Sequence, residues 1–400
     1  MHRRNRHIER IMKKRAKMYP ALGVLGPRQV GKSTFLMKQW AELENAVYLT
    51  FDKHETALRA KRSPEQLLLS ESNNQTMHLI IDEAHKVPHI FDSIKALIDE
   101  NRRVGAYTLS GSVEFSEKSG VRESLAGRMG IIRLYPMTLR EIEEKDFASP
   151  WVDFKFTQND RISPSTVEKW IERGGMPIFS CFSDQDERRI SIQSWLEAIC
   201  YRDLQQLKGA NYDSDLAFNL LKVIARNQNT LISISKIADE LGTSIHNVNK
   251  HFEALASLFL IYKIPSIESP SASPIYKIFD AGVTNALLGN TSNTTTRHDC
   301  IISLVINEIY AQYEYAGKLK PDLYYYKTRG GAEIDLVLKT NDKIIGIECT
   351  TSNDITPYKL RGMKSFLKKY ENAKGYIVAP VSDAYEADKN IIVVPWTVIG

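Results

Sequence analysis

Cysteine is scarce in this sequence, and its few thiols follow no metal-binding or disulfide pattern. The four cysteines are dispersed without C-x-x-C spacing, at Cys181, Cys200, Cys300 and Cys349. A zinc site or a disulfide framework requires cysteines at short or regular spacings. We therefore predict neither kind of site, and we expect the thiols to be reduced.

Long apolar runs and a strong excess of one charge are also missing. No stretch has the roughly 20 consecutive apolar residues of a membrane-spanning helix, and the basic first residues lack the apolar core of a secretion signal. We expect a cytoplasmic location and no membrane partner. The net charge of +5 is modest and is concentrated at residues 3–6 and 13–15. This basic lead-in either touches phosphate backbones or forms a solvated charged helix.

The remaining composition is that of a folded protein with several domains. Apolar residues make up 43% of the chain and charged residues 25%, as in ordinary globular proteins. A length of 400 residues predicts two to four domains rather than one core.

A phosphate-binding loop is the clearest motif. Residues 26–34 fit the pattern G-x-x-x-x-G-K-[ST] between a predicted strand and a predicted helix. The glycines let backbone N–H groups face a β-phosphate, Lys32 reaches the β- and γ-phosphates, and Ser33 offers a hydroxyl to Mg²⁺. The predicted nucleotide-binding residues are Gly26, Pro27, Arg28, Gln29, Val30, Gly31, Lys32, Ser33 and Thr34. We expect ATP and Mg²⁺ as cofactors.

Two adjacent carboxylates end a later apolar run, residues 78–83. A buried parallel strand of this kind delivers acids to the carboxyl edge of an α/β sheet. Asp82 is predicted to hold the Mg²⁺ shell and Glu83 to polarise the attacking water. The alternative is that the pair only caps the following helix.

Two further side chains are candidates for the catalytic set. A third predicted strand ends in Ser110-Gly111-Ser112, and we favour Ser112 over Ser110 as a sensor of the γ-phosphate. Arg128, which precedes another apolar run, either reaches a neighbouring subunit's nucleotide or pairs with a surface carboxylate. The first role requires a homo-oligomer, which we expect.

These motifs together resemble a large group of prokaryotic AAA-type ATPases with a C-terminal domain of unassigned function. They are GPRQVGKST, LIIDEAHKVP, LSGS, LAGR followed by LYPMTLREI, GGMP at 174–177 and YRDL at 201–204. The resemblance covers nearly the whole chain. It implies an α/β fold in which a AAA+ P-loop parallel sheet of five strands is joined to a helical lid, a winged-helix domain and a restriction-endonuclease-like C-terminal α/β domain.

The resemblance, together with changes in composition and pattern along the chain, divides the sequence into units. We expect a basic lead-in (1–18), a AAA+ core (19–150), a helical lid (151–210), a winged helix (211–270), a polar connector (271–297) and the nuclease-like domain (298–400). The break at 174–177 either rests against the nucleotide, as in related ATPases, or is an ordinary turn. Ser235 and Thr243 are the predicted N-caps of a helix-turn-helix.

The predicted second helix of that motif has two interpretations. Its polar residues Ser244, His246, Asn247 and Lys250 are able to enter a DNA major groove. They carry little positive charge, and phosphate contacts supply most duplex affinity. The competing interpretation is a winged helix used for packing, so DNA is expected as a partner only under the first.

The last hundred residues resemble a nuclease core whose lysine is missing. Helical spacing places Glu308 on a buried face, and alternation places Glu348 and position 350 on one strand face. With Asp335, these match the carboxylates that bind a divalent metal in that family. The family's lysine position is Thr350 here, which removes a cation from the attacking water. Lys327 or Arg329 is a candidate substitute.

Three functions remain open on this basis. The first is a Mg²⁺-dependent ATPase with a degenerate nuclease-like domain that binds nucleic acid or partners. The second is an ATPase with a working metal nuclease, and the third is an ATP-switched scaffold without a nucleic-acid role.

Overall fold

The computed structural model describes residues 4–113, 125–153, 161–207, 211–228, 230–289, 294–357 and 360–400. The strands of its first sheet are β1 (Ala21–Leu25), β2 (Val47–Thr50), β3 (Leu79–Asp82), β4 (Tyr107–Gly111) and β5 (Met129–Arg133). They are parallel and lie in the order β2-β3-β4-β1-β5. The predicted parallel sheet is confirmed, with β4 between the acidic strand and the strand before the phosphate loop.

Seven described helices accompany this sheet. They are α1 (Ile8–Ala16), α2 (Lys32–Phe35), α3 (Ala41–Glu44), α4 (His54–Arg62), α5 (Pro64–Glu71), α6 (His89–Glu100) and α7 (Leu139–Ile142). A π-helical segment, Leu36–Trp40, joins α2 to α3. α1 carries the basic lead-in, yet its apolar side chains Ile8, Ile11 and Met12 are buried. The lead-in is therefore part of the core and is solvated on one side only.

A mostly helical region follows. Its elements are α8 (Pro164–Arg173), α9 (Gln185–Ala198), a π-helical turn (Ile199–Asp203), α10 (Ser214–Arg226), α11 (Ile234–Glu240), α12 (Ile245–Ser257), β6 (Ile261–Ile264), β7 (Ile275–Ile278) and α13 (Ala281–Leu288). β6 and β7 pair antiparallel. The caps of α11 and α12 are Ser233 and Ser244, so the predicted caps were wrong by one or two residues.

The C-terminal region is a second, mixed sheet with two helices. Its elements are α14 (Thr294–Tyr315), β8 (Asp322–Lys327), β9 (Glu333–Lys339), β10 (Ile344–Cys349), α15 (Arg361–Lys369), β11 (Lys374–Ala379), β12 (Tyr385–Asp388) and β13 (Ile391–Pro395). The strand order is β12-β13-β11-β10-β9-β8. β12 was not predicted. The stretch 271–297, predicted to be a connector, carries β7, α13 and the start of α14; its residues 290–293 lie outside the described residues.

α14 is the element on which the regions converge. All its residues from Asp299 to Tyr315 are buried. It packs against α1, α8, α13, β5 and β10. Within the described part of the chain, neither α14 nor another helix has the length and apolarity needed to cross a membrane.

The position of Glu308 corrects the predicted metal site. Its carboxylate lies inside the protein, where Oε1 accepts a hydrogen bond from the Leu139 N–H at 2.6 Å and Oε2 accepts one from Gln312 Nε2 at 2.9 Å. The α14 residue that meets Asp335 is instead His298, ten positions earlier and about 15 Å away along the helix axis. Helical spacing correctly predicted burial, but a helix buried all round does not reveal which neighbour a side chain faces.

Burial gives Glu308 a testable effect on stability. It raises the pKa of Glu308 to about 8, and the hydrogen bonds from Leu139 and Gln312 only partly oppose this. The native state therefore keeps a proton that the unfolded chain releases above its ordinary pKa of 4.5. The free energy of unfolding should fall as pH rises from 4.5 to 8, by at most about 1.4 kcal/mol per pH unit.

Glu308→Gln should flatten this dependence, because an amide does not titrate. Denaturant unfolding from pH 4.5 to 8 measures it, and the loss of one hydrogen bond should lower the overall stability by about 1 kcal/mol. The surface change Glu371→Gln is the control and should keep the parent slope. A parent-like slope in Glu308→Gln would contradict the assignment.

Candidate nucleotide site

The phosphate loop lies at the carboxyl edge of the first sheet, directly after β1. Two of its positions require glycine. A Cβ on Gly26 would lie 2.3 Å from the Leu134 carbonyl oxygen, and Gly31 has a φ of +103°. Both conformations are strained for residues with side chains. The sequence therefore builds a curled backbone, as predicted from the motif.

Lys32 lies across the inside of this loop. Its side chain is buried, and Nζ donates to the carbonyl oxygens of Gly26 at 2.8 Å and Pro27 at 2.9 Å. Burial lowers the pKa of Lys32, while the nearby Glu83 and Asp82 favour its charged form. An ammonium group hydrogen-bonded to carbonyl oxygens is well placed to exchange them for phosphate oxygens.

Asp82 is held by two hydroxyl groups from the neighbouring strands. Oδ1 accepts a hydrogen bond from Ser110 Oγ, and Oδ2 accepts one from Tyr48 Oη at 2.6 Å. A carboxylate has about four lone-pair positions, so both oxygens keep acceptor capacity for a metal ion or its water. Tyr48, which lies on β2, was not among the predicted site residues, although the adjacency of β2 and β3 would have suggested it.

Ser110, and not the favoured Ser112, is the serine that contacts the acidic pair. Its Oγ donates a hydrogen bond to Asp82 and accepts one from the Glu83 N–H at 3.1 Å. Ser112 lies beyond the end of β4 and is buried. Its role as a phosphate sensor stays a prediction.

Glu83 follows β3 in an unusual backbone conformation. Its φ of +56° is in the left-handed region, which is sparsely populated by residues other than glycine and often marks functional sites. His85 Nδ1 lies 3.3 Å from Glu83 Oε2. Burial raises the pKa of Glu83 and Lys32 counteracts it. A carboxylate with these neighbours has the character of a general base.

The N-terminal segment contacts the outside of the loop. Arg6 is buried and donates from Nη1 to the Val30 carbonyl at 2.9 Å and from Nη2 to the Tyr135 carbonyl at 2.6 Å. Its Nε lies 3.2 Å from Glu141 Oε1. This arginine of the basic lead-in therefore fixes the loop backbone, a role that the local sequence did not indicate.

The GGMP turn also packs against the loop. A Cβ on Gly31 would lie 3.8 Å from Pro177. Behind the turn, Asp280 Oδ2 accepts from the Gly175 N–H at 2.7 Å, and a Cβ on Gly174 would lie 2.1 Å from Asp280 Oδ1. Gly174 thus makes room for Asp280, whereas Gly175 makes room for the Met137 carbonyl, which would lie 2.6 Å from a Cβ there. Burial raises the pKa of Asp280 to about 6.

The YRDL segment supplies a third contact. Arg28 Nη1 donates to both carboxylate oxygens of Asp203, at 2.6 and 2.7 Å. Asp203 ends the π-helical turn after α9 and is buried. The helical region therefore touches the loop through an ion pair as well as through Pro177.

The second carboxylate pair lies in the C-terminal sheet. Asp335 on β9 accepts at Oδ2 from the Cys349 N–H at 2.8 Å, and its N–H donates to Glu348 Oε2 at 3.3 Å. His298 Nε2 lies 3.3 Å from Asp335 Oδ2. Burial raises the pKa of Glu348 well above its usual range, whereas His298 and the Cys349 N–H hold that of Asp335 low despite burial.

A buried cation close to Asp335 was not among the predicted substitutes. Lys277, on β7, is fully buried; desolvation lowers its pKa, and Asp299 and Asp335 oppose this. Lys327 instead lies 3.1 Å from Glu333. Thr350 lines an adjacent pocket of about 400 Å³ together with His298 and Glu348. Across the described ranges, no three His, Cys, Asp or Glu side chains are grouped to hold a metal ion.

The loop, the acidic strand and their sheet lie in a segment that matches a known family model. Residues 18–143 match the family model described as an AAA domain, which supports ATP binding and ATPase activity in general. Residues 165–294 and 303–399 match two models described as domains of unknown function, DUF8612 and DUF4143.

The chain is similar to uncharacterized proteins of distant organisms. One from Mycobacterium tuberculosis is 24% identical over 385 residues, covering 94% of this chain and 80% of the relative. One from Methanocaldococcus jannaschii is 22% identical over 375 residues, covering 88% and 79%. The descriptions of these relatives assign them no activity, so they do not indicate what this chain does.

Two solved structures are also similar over much of the chain. Protein VC1899 from Vibrio cholerae is 14% identical with a TM-score of 0.18, covering 90% of this chain and 89% of that one. Drosophila ORC bound to AT-rich DNA and Cdc6 is 12% identical with a TM-score of 0.21, covering 71% and 90%. TM-scores this low support no argument about fold or function.

Arg128 lies at the opposite edge of the sheet from the loop. Its carbonyl accepts from the N–H of Ala21, the first residue of β1, and its guanidinium donates to Asp99 Oδ1 at 2.6 Å and Oδ2 at 2.9 Å. Within one chain it is a salt-bridge residue, which was the alternative interpretation. It is remote from its own nucleotide site, so a catalytic role is open to it only across a subunit interface.

The variant Arg128→Ala separates the two roles. If the arginine acts in trans, ATP hydrolysis should fall by about a thousandfold or more while ATP binding is kept. Mixing with Lys32→Ala protein should restore part of the activity. Asp99→Ala is the control, because it removes the same salt bridge and should leave hydrolysis unchanged. Equal effects of both substitutions would show that Arg128 is structural.

Proposed function

We propose that this protein is a Mg²⁺-dependent ATPase whose nucleotide state controls the binding of a nucleic acid or partner protein. One observation carries the proposal. The phosphate loop, Asp82, Glu83 and Ser110 come from different strands and meet at one sheet edge, with Lys32 electrostatically coupled to both acids.

The residues present fit ATP and Mg²⁺. Gly26 and Gly31 allow the curled, positive-φ backbone of the loop, and Ser33 with Asp82 offers the oxygen ligands that Mg²⁺ prefers. Bound Mg²⁺ would neutralise charge on the phosphates. Lys32 would bind the β- and γ-phosphates, Asp82 would orient the metal's ligand shell, and Glu83 would accept a proton from the attacking water.

Two substitutions test these roles separately. Lys32→Ala should abolish ATP binding and hydrolysis, because it removes the cation of the loop. Glu83→Gln should bind ATP normally and hydrolyse it about a hundredfold or more slowly, because only the proton acceptor is removed. Calorimetric titration with Mg²⁺-ATP and phosphate release measure the two steps.

Lys53→Ala, on the surface near the same edge, is the matched control and should resemble the parent. Equal loss of ATP binding in Lys32→Ala and Glu83→Gln would contradict the assignment of Glu83. Full hydrolysis by Lys32→Ala would overturn the ATPase proposal itself.

The partner-binding part of the proposal rests on α10 to β7, which have the element order of a winged helix. Three of the four polar residues predicted to face DNA form hydrogen bonds within the chain, and one of them is Ser244, whose Oγ accepts from the Asn247 N–H at 3.1 Å. Asn247 Nδ2 donates to Thr243 Oγ1 at 2.9 Å, and Lys250 Nζ donates to the Asn211 carbonyl at 3.0 Å. Ser244 and His246 remain exposed. This distribution favours packing or protein binding over sequence-specific DNA recognition.

A metal nuclease is the weaker alternative. Glu308 is remote from Asp335, and Asp335 already interacts with His298 and the Cys349 N–H. We therefore propose that the C-terminal region is an assembly or binding module.

Nucleic-acid binding, where it occurs, should be electrostatic. Binding of duplex or single-stranded DNA should fall steeply with salt. The triple change of Lys13, Lys14 and Lys17 to Glu should make the log–log salt slope shallower by about 0.9 for each of these lysines that binds a phosphate of duplex DNA. Removing residues 1–17 would not test this, since it also removes Arg6 from the loop. Unchanged mobility and ATPase rate with every nucleic acid at low salt would favour the scaffold alternative.

A further inference from the structure

The Arg28–Asp203 ion pair joins the phosphate loop to the helical region. Arg28 is the third residue of the loop, and a single nitrogen, Nη1, donates to both oxygens of Asp203. Arg202 Nε donates to the same carboxylate at 3.1 Å. Only 5% of Asp203 is exposed, whereas the Arg28 side chain is 36% exposed, so solvent screens this pair from the arginine side only.

The carboxylate of Asp203 lies within electrostatic range of the phosphate-binding lysine. Asp203 favours the charged form of Lys32, and Arg28 opposes it. A nucleotide in the loop would therefore bring several negative charges close to Asp203. The Arg28 guanidinium already pairs with Asp203, and its planar set of donors matches phosphate as well as carboxylate.

We propose that Asp203 is a positioning residue through which the helical region responds to the γ-phosphate. This proposal rests on the ATPase function proposed above. In the nucleotide-free state and with ADP, Arg28 is held by Asp203. With ATP, Arg28 turns to the γ-phosphate, and Asp203 is released from the loop.

The neighbourhood of Asp203 gives this release a route. Asp203 ends a π-helical turn that begins at Ile199, a geometry often found at functional sites. The Cys200 carbonyl in this turn accepts from Ser214 Oγ at 3.0 Å, and Tyr201 Oη donates to Asp215. Ser214 and Asp215 begin α10. A shift of the turn would thus be transmitted to the first helix of the unit proposed to bind partners.

A double-mutant cycle tests the exchange. Asp203→Asn, Arg28→Gln and the double variant are titrated with ADP and with the β,γ-imido analogue of ATP. Asp203→Asn should raise the preference for the ATP analogue over ADP by about tenfold, because Arg28 no longer has to leave a carboxylate. In the Arg28→Gln background the same change should alter the preference by less than about twofold.

Asp186→Asn is the matched control, since Asp186 is an exposed residue of α9 that lies outside the route from Asp203 to α10; it should leave the preference unchanged. An equal effect of Asp203→Asn with and without Arg28 would show that Asp203 acts through space, and would overturn the proposal. So would an unchanged preference in all variants that still bind nucleotide. Absence of nucleotide binding by the unmodified protein would instead overturn the proposed ATPase function.

Hydrogen exchange on the unmodified protein is an independent test, because it does not depend on whether any variant folds. The amides of 199–207 should exchange faster with the ATP analogue than with ADP, because the ion pair no longer tethers the turn to the loop. Equal exchange in both states would contradict the release of Asp203.

Discussion

The need to satisfy polar groups on a helix that is buried from Asp299 to Tyr315 governs this structure. α14 places serine, glutamate and glutamine where solvent is absent, and unsatisfied groups there would be destabilising by about 1–3 kcal/mol each. Each finds a partner in another region: Ser303 with Ile278 on β7, Glu308 with Leu139 on α7, and Gln312 with Trp151 and the Ile399 carbonyl. Consequently the first sheet, the helical region and the C-terminal sheet share one apolar core.

The same principle shapes the nucleotide site, where buried charges compensate one another. Lys32 is near Asp82 and Glu83, Arg28 is near Asp203, and Arg6 is near Glu141. The buried carboxylate of Asp280, behind the GGMP turn, has no cation beside it in this set; it accepts hydrogen bonds from the backbone N–H groups of Gly175 and Val283 instead. The site is therefore assembled from residues 6 to 280 and depends on the relative placement of all these regions.

Local patterns predicted the parts of the site that are local. The loop, the acidic strand and the serine strand were correct because parallel strands bring their carboxyl ends to one edge. Ser110 and Ser112 could not be distinguished, since alternate residues share a strand face. The sequence did not indicate roles for Arg6 and Asp203, because their partners in the phosphate loop are 24 and 175 positions away. It did not indicate Lys277 because the packing of β7 decides which carboxylates lie near that lysine. The metal-binding role predicted for Glu308 was wrong for a related reason. The sequence pattern shows that Glu308 is buried, but only the tertiary fold decides that it contacts Leu139 and not Asp335.

The position of α1 has a consequence for biosynthesis. α1 is synthesised well before the residues it packs against, since Arg15 pairs with Glu314 at 3.1 Å and Ile11 lies close to Gly317. At roughly 5–20 residues per second, the ribosome needs about 15–60 s to add the roughly 300 residues that separate these partners. During that interval the side of α1 that meets α14 is an uncovered apolar surface on the nascent chain. A chaperone that recognises apolar surfaces would find one there, close to Arg6, which contacts the phosphate loop.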